Sequence, residues 1–165
     1  MATAKRKTKK QSKPTPTGDI IITRDYPGLV DRVGYLELAG DLKAIGSITV
    51  KLDVWLKVTG SIEAGWGIKA GWGITAGRGI TAGSGIEAGE GIEAGCGIKA
   101  GWGIKAGLTI ICNAELAAKF NLFAGVCTWR ETTDDDRKIT CGRLASGKVA
   151  YGKLVETQKP KSSAP

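Results

Sequence analysis

From Ile62 onward a six-residue unit, Ile-x-Ala-Gly-x-Gly, repeats without slippage. Ile62, Ile68, Ile74, Ile80, Ile86, Ile92, Ile98, Ile104 and Ile110 fall in one register, with Ala64 to Ala106 and then Cys112 two positions further on. Leu116 with Ala118, and Leu122 with Ala124, keep the same phase after the glycines stop. The local sequence NAELAAKF has helical propensity, yet a register of 11 aliphatic residues from 62 to 122 outweighs it and predicts strand there.

Residues two apart in a strand point the same way, so Ile and Ala face inward and the residue between them faces outward. The in-between positions, Glu63, Lys69, Thr75, Thr81, Glu87, Glu93, Lys99 and Lys105, are all polar. The Gly-x-Gly that follows turns the chain, because glycine accepts positive φ and close backbone approach. A three-residue strand cannot form a core alone, whereas stacked coils cover one another's apolar faces and backbone groups. The expectation is an all-β, single-stranded parallel β-helix, or solenoid, of six-residue repeats, with a C-terminal β-hairpin cap and disordered termini. Three hexads per coil give a triangular section; two give a flattened one. The ladder Lys69, Glu87, Lys105 alternates in sign with three, but Lys69, Thr81, Glu93, Lys105 is acceptable with two. Filling a narrow interior with Ile and Ala from three walls favours three.

The solenoid is expected over 19–125, with perfect hexads over 62–107. GDLKA at 40–44, GSITV at 46–50 and GSIEA at 60–64 share its form, and the alternation from Ile48 to Val58 reads as one longer strand. Ile20 to Thr23 and Val33 to Leu38 read as short strands around the turn-like Tyr26-Pro27-Gly28. Beyond Gly125, Val126 to Trp129 and Ile139 to Cys141 flank three consecutive acids, so 126–155 is expected to be a β-hairpin cap or dimerisation module. Residues 156–165 form a second tail.

Of the net charge of +8, six units come from Lys5, Arg6, Lys7, Lys9, Lys10 and Lys13 within residues 1–18, which contain no acid. That segment has too little apolar surface to offset the entropy of ordering and is expected to be disordered. Its charge suits nucleic-acid phosphates or an anionic membrane surface, or serves only as a solubilising arm. It lacks the apolar core of a signal peptide, and no run of about 18 apolar residues follows, so a cytoplasmic protein is expected.

The chain has no histidine, which removes the usual general base near neutral pH and His-ligated zinc. With no convergent acid, base and nucleophile, no enzyme activity, cofactor or metal is expected. Gly142 to Lys148 matches the first seven positions of a phosphate-binding loop, but Val149 stands where a hydroxyl is needed, and a hairpin turn is the better reading. Asp134, Asp135 and Asp136 read as a solvated loop rather than a cation site. Cys96, Cys112, Cys127 and Cys141 show no CxxC spacing and read as reduced thiols, with Cys112 facing inward in an alanine slot. Trp66, Trp72 and Trp102 fall at coil corners, with Trp66 and Trp102 two coils apart on one corner, flanking Ser84, and with Trp55 nearby. These four either form a protein-binding surface or lie flat over neighbouring glycines.

The runs GDLKA, GSITV and GSIEA, in a β-helix between a basic Pro-containing tail and a short C-terminal tail, resemble the bactofilins, polymer-forming cytoskeletal proteins of bacteria; the resemblance covers about residues 40–107. It implies a right-handed triangular β-helix, nucleotide-free head-to-tail assembly through the coil ends and, in some members, a tail that reaches the membrane. Hexapeptide acyltransferases fit less well, because Trp66, Arg78, Glu90 and their equivalents stand where a small residue is needed. Two functions follow as expectations. One is a non-catalytic scaffold that associates with itself as an oligomer or filament. The other is a small phage or mobile-element protein that inhibits a nucleic-acid-processing enzyme, of anti-CRISPR or anti-restriction type, through its solenoid surface. Direct nucleic-acid binding through the basic tail is a third.

Overall fold

The protein is an all-β solenoid of about seven turns, described for residues 18–158 by a computed structural model. Its strands line three walls. The first has Leu42, Ile62, Ile80, Ile98, Leu116 and Leu144 pointing inward; the second has Ile20, Ile48, Ile68, Ile86, Ile104, Leu122 and Val149; the third has Leu36, Leu56, Ile74, Ile92, Ile110, Ile139 and Leu154. Through the perfect hexads, each strand pairs in parallel with the strand three hexads on, as Ile62↔Ile80↔Ile98 and Ile68↔Ile86↔Ile104 do. Three hexads per coil is therefore the answer. No helix occurs among the described residues, so none is long and apolar enough to cross a membrane.

The NAELAAKF segment is strand. Glu115–Phe123 runs along the first wall, bends, and continues on the second, joining both walls into one sheet. Leu116 and Leu122 are fully buried at the inward positions the repeat phase assigns them. The core is a continuous stack of Ile over Ile and Ala over Ala, and it contains no buried polar or charged residue among the described residues. Between the inward columns, Lys69 and Lys105 flank Glu87 at 4.0 and 3.2 Å, the alternation expected of three-hexad coils. Such exposed pairs contribute at most about 1 kcal/mol each.

The repeat glycines act through space, not through φ. Positive φ occurs at Gly28, Gly34, Gly40, Gly125, Gly147 and Gly152, none of them in the perfect hexads. Instead, a Cβ on Gly83 would overlap the carbonyl oxygen of Gly65 one coil earlier; Gly101 stands in the same relation to Gly83, and Gly107 to Gly89. With the exception of Gly71, the first glycine of each Ala-Gly-x-Gly is where successive coils touch through backbone.

Three sequence expectations are corrected. The alternation from Ile48 to Val58 is two strands, Ile48–Val50 and Trp55–Val58, because the chain turns a corner between them with Leu52 still buried. Residues 126–155 are not a hairpin: Lys138–Cys141, Arg143–Tyr151 and Lys153–Glu156 all pair in parallel and add a last coil to the solenoid. The boundary placed at Gly125 is thus the start of a corner excursion over 124–137. The antiparallel hairpin lies at the other end, where Leu29–Arg32 pairs with Tyr35–Leu38 through a turn at Gly34. The segment between Thr23 and Leu29 contains the expected turn, and Tyr26 and Leu29 pack against the first coil's core.

Candidate functional site

The corner between the first and second walls has the largest run of exposed aromatic surface. Backbone hydrogen bonds stack it residue on residue: Gly46 N–H to Gly18 O, Trp66 N–H to Gly46 O, Ser84 N–H to Trp66 O, Trp102 N–H to Ser84 O and Phe120 N–H to Trp102 O, at 3.0–3.2 Å. Trp66 is 67% exposed, Trp102 63% and Phe120 51%. Trp102 and Phe120 meet edge to face with ring centroids 6.3 Å apart, and the ammonium of Lys119 lies 5.3 Å from the Phe120 centroid. Trp66 and Trp102 thus share a corner on either side of Ser84, as three hexads per coil requires. Phe120 is not among the site residues expected from the sequence. Counting three hexads on from Trp102 would have found it.

The other two tryptophans belong elsewhere. Trp72 is 43% exposed on the corner between the second and third walls, in the column that continues through Glu90 and Leu108. Trp55 stands on the third wall at the position that Gly73 and Gly91 take in the next two coils, and its ring lies over both. A Cβ on Gly91 would stand 2.7 Å from the ring, and one on Gly73 would overlap it. Its indole N–H donates to the Glu90 carboxylate. Trp55 covers backbone, so the surface expected of four tryptophans divides into a ridge of Trp66 and Trp102, a separate Trp72, and a Trp55 held in the fold.

Beside the ridge on the second wall runs a groove of about 460 Å³, floored by Gly67, Gly85 and Gly103 and bordered by Lys69, Glu87 and Lys105. Trp66 and Trp102 immediately precede Gly67 and Gly103. No family model, curated protein or solved structure matches the chain. The site is therefore read from its own geometry.

The remaining sequence candidates are structural where the structure describes them. Asp136 receives Arg130 through two oxygens at 2.9 and 2.8 Å, and also the N–H and hydroxyl of Thr133 at 2.8 and 2.9 Å. Arg130 above all, then the Thr133 amide, holds its carboxyl well below the usual carboxylate range. Asp135 pairs with Lys138 at 2.6 Å. Two of the three consecutive acids are thus committed to basic side chains of the excursion. Gly142 to Lys148 lies largely in the edge strand Arg143–Tyr151, so it is neither a phosphate loop nor a hairpin turn. The expected basic tail, with Lys5, Arg6, Lys7, Lys9, Lys10 and Lys13, lies outside the described residues, as do residues 159–165 of the second tail.

Cys112 and Cys141 are fully inward, stacked one coil apart below Ala76 and Ala94, whereas Cys96 is exposed. Burial raises both thiols, and that of Cys141 reaches about 11 against an ordinary 9.0. The unfolded chain therefore ionises first. Stability is complete below about pH 9 and falls as pH rises toward 11, since the folded chain holds a proton that the unfolded chain has lost. Denaturant midpoints across that window will show the decline, and Cys141→Ala, matching the alanines of the column, will reduce its slope. An unchanged slope in that variant would locate the decline elsewhere.

Proposed function

We propose that this protein is a non-catalytic β-helical scaffold that associates with a second copy of itself through its C-terminal coil. The observation that carries this is the state of the last three inward residues. Among the described residues, Leu116, Leu122 and Ile139 are fully buried, but Leu144, Val149 and Leu154, stacked on them one coil later at the C-terminal end, are half-buried. Among the described residues, Arg143–Tyr151 and Lys153–Glu156 are also the outer strands at this end of their sheets, with no strand paired on their outer side. An exposed edge of this kind is a template for further strand pairing. A second copy presents the same triangular section and the same three apolar side chains.

The opposite end favours a finite assembly over a filament. There, Tyr26 and Leu29 cover the core and an antiparallel hairpin edges the third wall. Two ends that differ in this way among the described residues suit a closed pair joined through the C-terminal coils. The resemblance to bactofilins agrees with self-association in kind, and the covered end argues for a limited number of subunits.

Light scattering coupled to size exclusion tests this on the full chain. The parent is expected to run as a dimer in a concentration-dependent manner, and Val149→Lys with Leu154→Glu as a monomer with an unchanged far-ultraviolet circular dichroism spectrum. A parent that stays monomeric at high concentration overturns the proposal, as does a double variant that remains a dimer.

A further inference from the structure

We infer that the corner ridge of Trp66 and Trp102, with the glycine-floored groove beside it, binds an acidic, proline-rich peptide in the polyproline II conformation. The basis is a duplicated set of side chains. Gly-Trp-Gly-Ile-Lys-Ala-Gly occurs at 65–71 and again, unchanged, at 101–107, while the coil between them has Ser84 and Glu87 in place of the tryptophan and the lysine. The pairing Ile68↔Ile86↔Ile104 and the corner stack Trp66, Ser84, Trp102 place both copies on one corner and one wall, two coils apart. Core formation accounts for the isoleucines and alanines, and contact between coils accounts for Gly65 and Gly101. Neither requires an exposed indole repeated together with a lysine.

Along each rung the order is tryptophan, glycine, inward isoleucine, lysine. The groove of about 460 Å³ therefore runs between a column that holds the two tryptophans and a column that holds Lys69, Glu87 and Lys105, with Gly67, Gly85 and Gly103 on its floor. Glycine at these three positions keeps the floor low enough for a ligand to lie beside the corner.

Pitch selects the ligand's conformation. Adjacent rungs lie about 4.8 Å apart, so equivalent atoms of the two copies are about 9.6 Å apart. A polyproline II helix returns to the same face every three residues, after an advance of about 9.3 Å. An extended strand does so after about 6.7 Å, and two turns of α-helix span about 10.8 Å. Residues i and i+3 of a polyproline II segment thus meet both tryptophans in step.

The chemistry of the ridge agrees with its pitch. Both rings are largely exposed, and Trp102 is braced edge to face by Phe120, with centroids 6.3 Å apart. Proline-rich segments dock on aromatic-lined grooves, and they lose little entropy in doing so because their conformation is already set. Polyproline II has no internal hydrogen bonds, so its carbonyls are free to accept. Among the described residues, the indole N–H of Trp55 is committed to Glu90, whereas those of Trp66 and Trp102 have no protein acceptor. An α-helix, whose carbonyls are used internally, would leave these donors unmet.

Charge sets the remaining ligand position. Lys69 and Lys105 flank Glu87 at 4.0 and 3.2 Å, which leaves one surplus positive charge along the groove's border. An acidic side chain once per ligand turn falls at the two lysine rungs, and the rung of Glu87 falls between successive acids. The complementary pattern is therefore a repeat of Pro-Pro-Glu, with proline on the rings and glutamate toward the ammonium groups.

Fluorescence anisotropy of a labelled peptide of four Pro-Pro-Glu repeats, titrated with the full-length protein, tests the inference against peptides of four Gly-Ser-Glu and four Pro-Pro-Lys repeats. The Gly-Ser-Glu peptide has the same length and charge but no fixed conformation, so attraction to basic residues elsewhere in the chain raises both acidic peptides alike. The Pro-Pro-Glu peptide is expected to bind about tenfold or more tightly than the Gly-Ser-Glu peptide. Trp66→Ala and Trp102→Ala should each weaken its binding about tenfold, and the double variant should lose the preference for proline. Trp66→Phe with Trp102→Phe, which keeps the rings and removes the donors, should fall between. Lys69→Glu with Lys105→Glu should lower affinity for the Pro-Pro-Glu peptide and raise affinity for the Pro-Pro-Lys peptide above the parent's, a gain that loss of folding does not produce. Equal affinity for the two acidic peptides, absence of binding, or parent-like affinity in the double Ala variant would overturn the proposal. So would tighter binding of cellohexaose by calorimetry, which would assign the ridge to a polysaccharide. The C-terminal variant Val149→Lys with Leu154→Glu should retain peptide binding, which separates this site from self-association.

Discussion

Gly83→Ala is expected to lower stability by about 3 kcal/mol or more, while Gly67→Ala stays within about 1 kcal/mol of the parent. Both glycines sit at the corner between the first and second walls on adjacent coils, Gly67 as the second and Gly83 as the first of its Gly-x-Gly pair, and neither has positive φ. Their surroundings separate them. The methyl group added at Gly83 would occupy the position of the Gly65 carbonyl oxygen. That oxygen cannot yield, because Gly83 N–H is bonded to Ala64 O at 3.0 Å and Ser84 N–H to Trp66 O at 3.0 Å on either side of it. Relief requires the two coils to part and both hydrogen bonds to lengthen. At Gly67 the added methyl meets one carbonyl oxygen at ordinary contact distance, and the lost backbone freedom of the unfolded chain offsets the cost. For a chain of this size, about 3 kcal/mol corresponds to a fall in Tm of roughly 6–12 °C. Thermal unfolding of the two variants side by side is the measurement, and equal effects would refute the steric account.

Ile86→Ala is expected to cost about 2–5 kcal/mol, toward the upper part of that range. Ile86 is buried between Ile68 and Ile104 in the second-wall column. A cavity closes only when its lining can move inward, and here the residues above and below are fixed at rung spacing by parallel pairing on both sides. In a solenoid each coil contacts only its neighbours, so weakening a central coil also uncouples the halves. Hydrogen exchange is therefore expected to accelerate first in the coil around Ile86 rather than at the ends. A loss below about 1 kcal/mol, or uniform exchange throughout, would contradict this.

The central hexads were legible because inward spacing, outward polarity and glycine placement repeat together. Even Glu115–Phe123, where helical propensity competes, follows phase rather than propensity, since its backbone groups and inward Leu116 and Leu122 are held by the coil before. The C-terminal coil was not legible, for a reason of spacing. Ile110 and Ile139 are adjacent rungs separated by the 124–137 excursion, so the six-residue phase is lost there. The inward residues that follow, Ile139, Leu144, Val149 and Leu154, stand five apart, with Gly142, Gly147 and Gly152 also five apart. A shorter coil turns its corners with one glycine in place of two, and Gly147 and Gly152 do so at φ of +107° and +116°. Positive φ, expected throughout the repeats, is absent from the perfect hexads and occurs in the non-repeating turns and at Gly147 and Gly152 of the shorter coil.

The candidate site divides in the same way. That Trp66 and Trp102 share a corner follows from counting, and Phe120 follows by the same count. That Trp55 lies over Gly73 and Gly91 with its N–H on Glu90 does not, because it depends on which way a side chain turns along the axis.

The sequence by itself determined the parallel β-helix, its inward columns and its corners, since an apolar residue every six positions with glycine pairs between permits little else. Tertiary structure decided the size of the coil, because the charge pattern accommodates either two or three hexads and only the filling of the interior by three walls selects between them. It decided too that Tyr26 and Leu29 pack onto the core and that Lys138–Cys141, Arg143–Tyr151 and Lys153–Glu156 return to the stack after the 124–137 excursion. Both depend on how non-repeating residues fold back on the coils, where a periodic pattern has nothing to say.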